Sequence, residues 1–171
     1  ITEMLKEISM IVEEIKGKNQ KESELQKSNG HKLLESIYVG GGTPSRLSIP
    51  ELSKLLSKVR EHLTCSKNVE ITFEMNPEDV NPEYLKNLAK IGVNRLSLGG
   101  QSFRDSILSK LGRCHDASDL RRACEEIVNS PLQNWNLDLM FGIPGQNVSM
   151  FKKDVEAAIS YKPNHVSLYG L

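Results

Sequence analysis

The chain shows no excess of charge of either sign: 22 Lys and Arg face 22 Asp and Glu, for a formal net charge of zero. So even a balance leaves no electrostatic footprint for nucleic acid or for an anionic membrane surface. Long apolar runs are absent as well, none approaching the ~20 residues that cross a bilayer. The first residues form an acidic and basic amphipathic stretch, not a signal peptide. These absences predict a soluble protein with no nucleic-acid partner and no membrane segment. The compartment expected is the cytoplasm, or the mitochondrion if the source is eukaryotic. Cysteine is scarce: Cys65, Cys114 and Cys124 show no C-x-x-C or other ligand spacing, so these three alone predict neither a zinc site nor a cluster, and their odd number fits a reducing compartment. An initiator Met is also missing, because the chain opens with Ile1-Thr2-Glu3 inside what reads as a helix. The expectation is a fragment with part of its site upstream.

What is present centres on Tyr38-Val39-Gly40-Gly41-Gly42-Thr43-Pro44-Ser45. Residues 36–39 read as a short buried strand that runs without a spacer into three glycines and a Thr-Pro pair. Adjacent glycines cost conformational entropy, so they suit a backbone that needs positive φ or a close approach. One reading is a ligand cradle in which peptide groups of Gly41 and Gly42, with the Thr43 hydroxyl, hold a polar end such as an amino acid head group or a phosphate. The other is an ordinary tight turn from strand to helix. The run is neither G-x-G-x-x-G nor a Walker loop, so a nucleotide phosphate is not the default ligand.

Elsewhere the chain alternates. Residues 1 to about 16 place apolar side chains at helical spacing, and 17–32 turn to Lys, Asn, Gln, Glu and Ser, which predicts a solvated polar insertion. Helices are predicted over 49–63, 82–91, 105–111, 117–128 and 149–161, and strands over 36–39, 69–73, 94–98, from 134 to about 138, and 165–169. Gly92 is placed just past the end of a helix, and Asp116 or Ser118 at the start of another. His115, read alone, is a surface or capping histidine. No hairpin signal joins the strands, which argues for a parallel sheet with crossover helices, either an open doubly wound sheet or a partial or complete barrel. In both, ligands bind at the carboxyl ends of the strands. There Gly40 to Thr43, Glu74, Gln101 and Asp138 fall at the ends of four successive strands and would face one mouth, the arrangement a small polar ligand needs.

Five ordered motifs then resemble a known family. They are the glycine run from Tyr38 to Ser45, Glu74-Met75-Asn76-Pro77-Glu78, the stretch from Asn94 through Gly99-Gly100-Gln101-Ser102-Phe103, Leu111-Gly112-Arg113-Cys114-His115, and Asp138-Leu139-Met140-Phe141-Gly142-Ile143-Pro144-Gly145-Gln146. From about Ser36 to Leu171 the chain is similar to the radical S-adenosylmethionine proteins related to oxygen-independent coproporphyrinogen III oxidase. Arg113 followed after one intervening residue by His115, with Gln101-Ser102-Phe103, looks more like the heme-chaperone branch than the oxidase. The resemblance implies an α/β fold, a parallel-stranded partial (β/α)6 barrel truncated at both ends, spanning 1–171 as one core domain. It implies S-adenosylmethionine in the mouth, with Gly41, Gly42 and Thr43 at the amino acid end and Glu74, Gln101, Arg113 and Asp138 lining the rest, the carboxylates suited to ribose hydroxyls and the guanidinium to a carboxylate. Asn76-Pro77 and Asn94-Arg95 are read as scaffold.

In that family a C-x-x-x-C-x-x-C loop binds a [4Fe–4S] cluster just before the helix that opens this chain. Cys114 and Cys124 have the wrong place and spacing to replace it, so cluster chemistry is expected of the full-length protein only, as are heme or porphyrin contacts. Gly100 stands where the family usually has an apolar residue. Two further readings are kept: a non-catalytic heme-delivery or binding module that has lost cluster chemistry, and an unrelated α/β hydrolase or synthase with Glu74 and Asp138 as an acid pair.

Overall fold

The computed structural model describes residues 33–171 together with Lys6 and Met10. Both of these are helical, in the stretch expected to form the first helix; the remainder of that stretch and the polar insertion at 17–32 lie outside the described residues. The described elements run β1 (Leu34–Val39), α1 (Ile49–His62), β2 (Cys65–Met75), α2 (Pro82–Lys90), β3 (Arg95–Gln101), α3 (Asp105–Lys110), α4 (Ala117–Val128), β4 (Trp135–Phe141), α5 (Val148–Ser160) and β5 (His165–Gly170).

The chain divides into two compact units, Ile1–Ile37 with Leu47–Val69, and Tyr38–Arg46 with Glu70–Leu171. In the first, α1 starts where the Glu51 carboxylate accepts from the Ser48 N–H at 2.9 Å and from its hydroxyl at 2.7 Å, with Pro50 in the first turn where no N–H is needed. Leu52, Leu55 and Leu56 form its buried face.

In the second unit β2 pairs with β3, β3 with β4 and β4 with β5, all in parallel. The five strands stand in the order β1-β2-β3-β4-β5, which is their order in the chain. A doubly wound sheet reverses direction at a switch point; this sheet never does, so each crossover steps to the next neighbour as in a barrel. Strand alternation sorts the side chains into two faces. Ile71, Phe73 and Met75, Leu96 and Leu98, and Leu137 and Leu139 are buried along with Leu85 and Leu88 of α2 and Leu120, Ala123 and Ile127 of α4, and this is the core. The other face is polar: the register sets Thr72 beside Arg95, Glu74 beside Ser97, Ser97 beside Asn136 and Asp138 beside Ser167.

The end of β3 departs from regular pairing. Against β4 it matches Leu98 to Leu137 and then Gln101 to Leu139, so β3 spends three residues where β4 spends two. Such a bulge re-aims the side chain next to it. Gly100, inside the bulge, has no room for the apolar side chain the family resemblance led us to expect. A Cβ there would lie 2.8 Å from Leu137 Cδ1 and 2.9 Å from Leu120 Cδ1; those two leucines already supply the missing apolar volume.

Candidate functional site

The polar face opens at the carboxyl ends of the strands into a pocket of about 230 Å³. Of the residues expected there, Gly42, Glu74, Gln101, Arg113 and Asp138 line it. Gly41 and Thr43 do not line the pocket; they belong to the turn after β1, where the Thr43 carbonyl accepts from Arg46 N–H at 3.1 Å.

Glu74, next to last in β2, has both carboxylate oxygens engaged. Tyr38 donates its hydroxyl to Oε1 at 2.9 Å and Gly41 donates its N–H to Oε2 at 3.0 Å. The glycine run is therefore wrapped around this side chain: a Cβ on Gly40 would meet Glu74 Cδ at 2.7 Å. Gly41, at φ 85°, leaves the left-handed turn free of strain, and its N–H, expected to be bare, belongs to Glu74. Burial pushes the Tyr38 phenol above its usual range, opposed by the hydroxyl of Ser97 and reinforced by the carboxylate of Glu74.

Asp138 stands in the middle of β4 and not at the strand end expected of it, because β4 runs on to Phe141; a chain of hydrogen bonds orients its carboxylate. Asn136 Nδ2 donates to its Oδ1 at 2.6 Å and to Ser97 Oγ at 2.9 Å, Ser97 Oγ lies 3.3 Å from its Oδ2, and Ser167 donates to Asn136 Oδ1 at 3.0 Å. This chain crosses β3, β4 and β5 and fixes the carboxylate with its outer edge toward the pocket.

Gln101 follows the bulge at φ 63°, a left-handed backbone that costs a residue with a Cβ about 1–2 kcal/mol. Ser102 N–H closes the turn on the Gly100 carbonyl at 2.8 Å. Strain of this kind gathers at binding sites. Arg113, after the positive-φ Gly112, donates from Nη2 to the Gly99 carbonyl at 3.1 Å, and a Cβ on Gly99 would lie 3.0 Å from that nitrogen. Its Nε is buried and has no partner among the described residues. A buried donor left unmatched is costly and points to an acceptor that the described residues do not supply.

Ser45, Asn76, Ser97 and Gly99 also line the pocket, though sequence reasoning passed over all but Asn76, which it assigned to the scaffold. Parity carried the signal for two of them, since Ser97 and Gly99 precede Gln101 by four and two residues on one strand face. The Ser45 hydroxyl donates to the Asp79 carboxylate and joins the turn after β1 to the turn after β2. Arg95 is scaffold as expected, donating to Thr72 Oγ1 at 3.2 Å. His115, expected at the surface or as a cap, is instead buried at 3% exposure, and the cap of α4 is Asp116.

The sequence profile of the Radical SAM superfamily matches residues 9–158. The chain belongs to the radical SAM superfamily. Its relatives include the heme chaperones HemW of Lactococcus lactis and Escherichia coli, 41% and 40% identical over 138 residues, which is 81% of this chain and 36% of each relative. The chain thus spans about a third of the length of the curated relatives it matches. Among solved structures, coproporphyrinogen III oxidase (HemN) from Escherichia coli, described as a radical SAM enzyme, aligns at a TM-score of 0.71 and 26% identity over 80% of this chain and 31% of that one. Archaeal Elp3 from Methanocaldococcus infernus shares the fold, with a TM-score of 0.66 at 23% identity, covering 81% of this chain and 37% of its own. The radical SAM chain is therefore an α/β protein of the parallel-stranded partial-barrel class, related to coproporphyrinogen III oxidase and to the heme chaperones.

Membership implies S-adenosylmethionine and a [4Fe–4S] cluster. The pocket fits the first, with two oriented carboxylates, an amide and a guanidinium whose Nε awaits an acceptor. The described cysteines do not fit the second. Burial pushes the Cys124 thiol up to about 12, far from the thiolate a metal requires, and no group of three His, Cys, Asp or Glu among the described residues could hold a metal ion. No described helix is long and apolar enough to cross a membrane.

Proposed function

We propose that residues 1–171 are the core domain of a radical S-adenosylmethionine protein of the heme-chaperone branch, and that the pocket binds S-adenosylmethionine. The supporting observation is the convergence of Glu74, Gln101, Arg113 and Asp138 from four separate segments on one pocket, with a buried Arg113 Nε that lacks an acceptor. Glu74 and Asp138, each held by neighbours that leave lone pairs over, suit ribose hydroxyls or the ammonium of the ligand; Arg113 suits its carboxylate. Gly41, Gly42 and Thr43 shape the amino acid end, Gly41 acting through Glu74. Bound there, S-adenosylmethionine supplies a sulfonium whose one-electron reduction is the chemistry of the superfamily. The residues of this chain bind and orient it and shield its charged end from water.

Heme or a porphyrin is the partner we assign to the complete gene product, on the strength of relatives named heme chaperones, and the cytoplasm is its compartment. That naming also supports a second reading, heme delivery without radical chemistry. Isothermal titration of the complete gene product with S-adenosylmethionine, prepared without oxygen, tests the first reading. Glu74→Ala and Asp138→Ala each remove a charged hydrogen bond worth ~1.5–3 kcal/mol, so each weakens binding about tenfold or more. Unchanged affinity in both variants removes the proposed site. Heme binding that persists when neither S-adenosylmethionine nor iron is bound favours delivery.

A further inference from the structure

His115 lies beside the pocket without lining it, and binding of S-adenosylmethionine there leaves it no role. Its ring is 1% exposed, with Nδ1 3.2 Å from Glu78 Oε2 and Nε2 3.2 Å from the carbonyl oxygen of Gly100. An ionised carboxylate and a peptide carbonyl both only accept hydrogen bonds. A neutral imidazole carries one N–H and would set lone pair against lone pair at one of the two contacts; only the imidazolium satisfies both. The charges around the ring include the carboxylates of Glu78 and of Asp116, which favour that form. Against it stand the Arg113 guanidinium two residues away and the amino end of α4, which Asp116 caps.

What the ring holds is the backbone just before Gln101. The Gly99 carbonyl accepts from Arg113 and the Gly100 carbonyl from His115, so the 113–115 segment grips both peptide groups that precede the left-handed residue. On the far side Asp154 accepts from Ser102 Oγ at 2.6 Å and from Phe103 N–H at 3.3 Å. Glu78, the other partner of the ring, belongs to the turn that follows Glu74 and Asn76. The ring therefore joins the turn after β2 to the bulge of β3.

We propose that His115, as an imidazolium paired with Glu78, is a positioning residue that holds the left-handed backbone at Gln101 through the Gly100 carbonyl and so aims the Gln101 amide into the pocket. The consequence for affinity rests on the reading of that pocket as the S-adenosylmethionine site; the state of the ring and the backbone of Gln101 do not. His115→Gln removes the charge and has a single donor end, which the carboxylate of Glu78 takes as the stronger acceptor, so the Gly100 carbonyl loses its donor from this side.

The test uses the complete gene product, labelled for NMR and titrated with S-adenosylmethionine. At neutral pH both ring nitrogens of His115 give the shifts of protonated nitrogen, and in His115→Gln the Gln101 HN–Hα coupling and Cα shift leave their left-handed values. Affinity falls about tenfold in His115→Gln, and Gln101→Ala, damaging in the wild type, adds little in that background, because one residue acts through the other. An unprotonated ring nitrogen, an unmoved Gln101 backbone, or effects of the two substitutions that multiply would each overturn the proposal. If His115→Gln does not fold, Glu78→Gln, at a half-exposed position, removes the ion pair, and two protonated ring nitrogens on His115 in that variant would overturn the pairing. A wild-type protein that binds no S-adenosylmethionine would sink the pocket reading, while ring protonation and the Gln101 coupling would still decide the tie.

Discussion

Replacing Gln101 by Gly and by Ala separates the strain at this position from the function of its side chain. Its φ of 63° costs any residue with a Cβ about 1–2 kcal/mol, and glycine escapes that cost. Glycine gives back roughly 0.5–1 kcal/mol through the greater freedom of its unfolded state. Both variants lose the same amide, so its loss cancels in the comparison. Gln101→Gly is therefore more stable than Gln101→Ala by roughly 0.5–1 kcal/mol, a difference of about 1–4 °C in Tm for a domain of this size. Urea unfolding at 25 °C, with thermal melts as a check, measures it. Titration with S-adenosylmethionine shows both variants weakened alike, so the variant that gains stability has lost the ligand contact. An Ala variant as stable as the Gly variant would refute the strain argument, and a Gly variant that binds as well as wild type would refute the role of the amide.

Gly100→Val forces methyl groups against Leu120 and Leu137 and destabilises by about 1–3 kcal/mol; Leu120→Ala in the same chain recovers part of that loss, as urea midpoints will show. Burial raises the Asp154 carboxyl above its ordinary value near 3.8, against the hydrogen bonds from Ser102 and Phe103 and the charges of Arg104 and Arg121. An acid with a raised folded-state value binds its proton more tightly when folded, so its contribution is fullest in acid and is lost as pH rises from about 3.8 through the higher folded value. Asp154→Asn removes that slope, and the difference in urea midpoint between variant and wild type moves in favour of the variant across this window. Cys114 is exposed and Cys124 is buried with its thiol at about 12; native protein treated with iodoacetamide at pH 8 is alkylated at Cys114 and spared at Cys124, as peptide mass mapping will report.

Local pattern was enough wherever one side of an element met the core. The helix over 117–128 has the bounds expected of it, and Gly92 has the positive φ of a residue just past a helix end. β2 begins four residues before the expected start, because Cys65-Ser66-Lys67-Asn68 carries no alternation and its extended form is imposed by the sheet. β3 continues through Gly99 and Gly100, which read as loop, because pairing with β4 resumes at Gln101 beyond the bulge. Glu74 and Gln101 were legible by position, standing next to and at a strand end; Asp138 was placed at a strand end too, but β4 runs on to Phe141 and leaves it mid-strand. Arg113 was not legible by position: it reaches the pocket from a loop between helices, and only family likeness pointed to it. His115 was misjudged for a related reason, since its partners Glu78 and Gly100 lie 37 and 15 residues away and nothing in its immediate neighbourhood announces them.

The coincidence of strand order with chain order bears on how the protein is made. Parallel sheets fold slowly because their pairings join distant residues, and exposed strand edges during that delay invite aggregation. Here each strand, as it leaves the ribosome, finds its neighbour already synthesised, so the sheet can grow by addition at one edge. Asp138 then acquires its supports in sequence, Ser97 waiting on β3 when Asn136 and Asp138 emerge and Ser167 arriving last, so the carboxylate takes its final orientation only once β5 has docked.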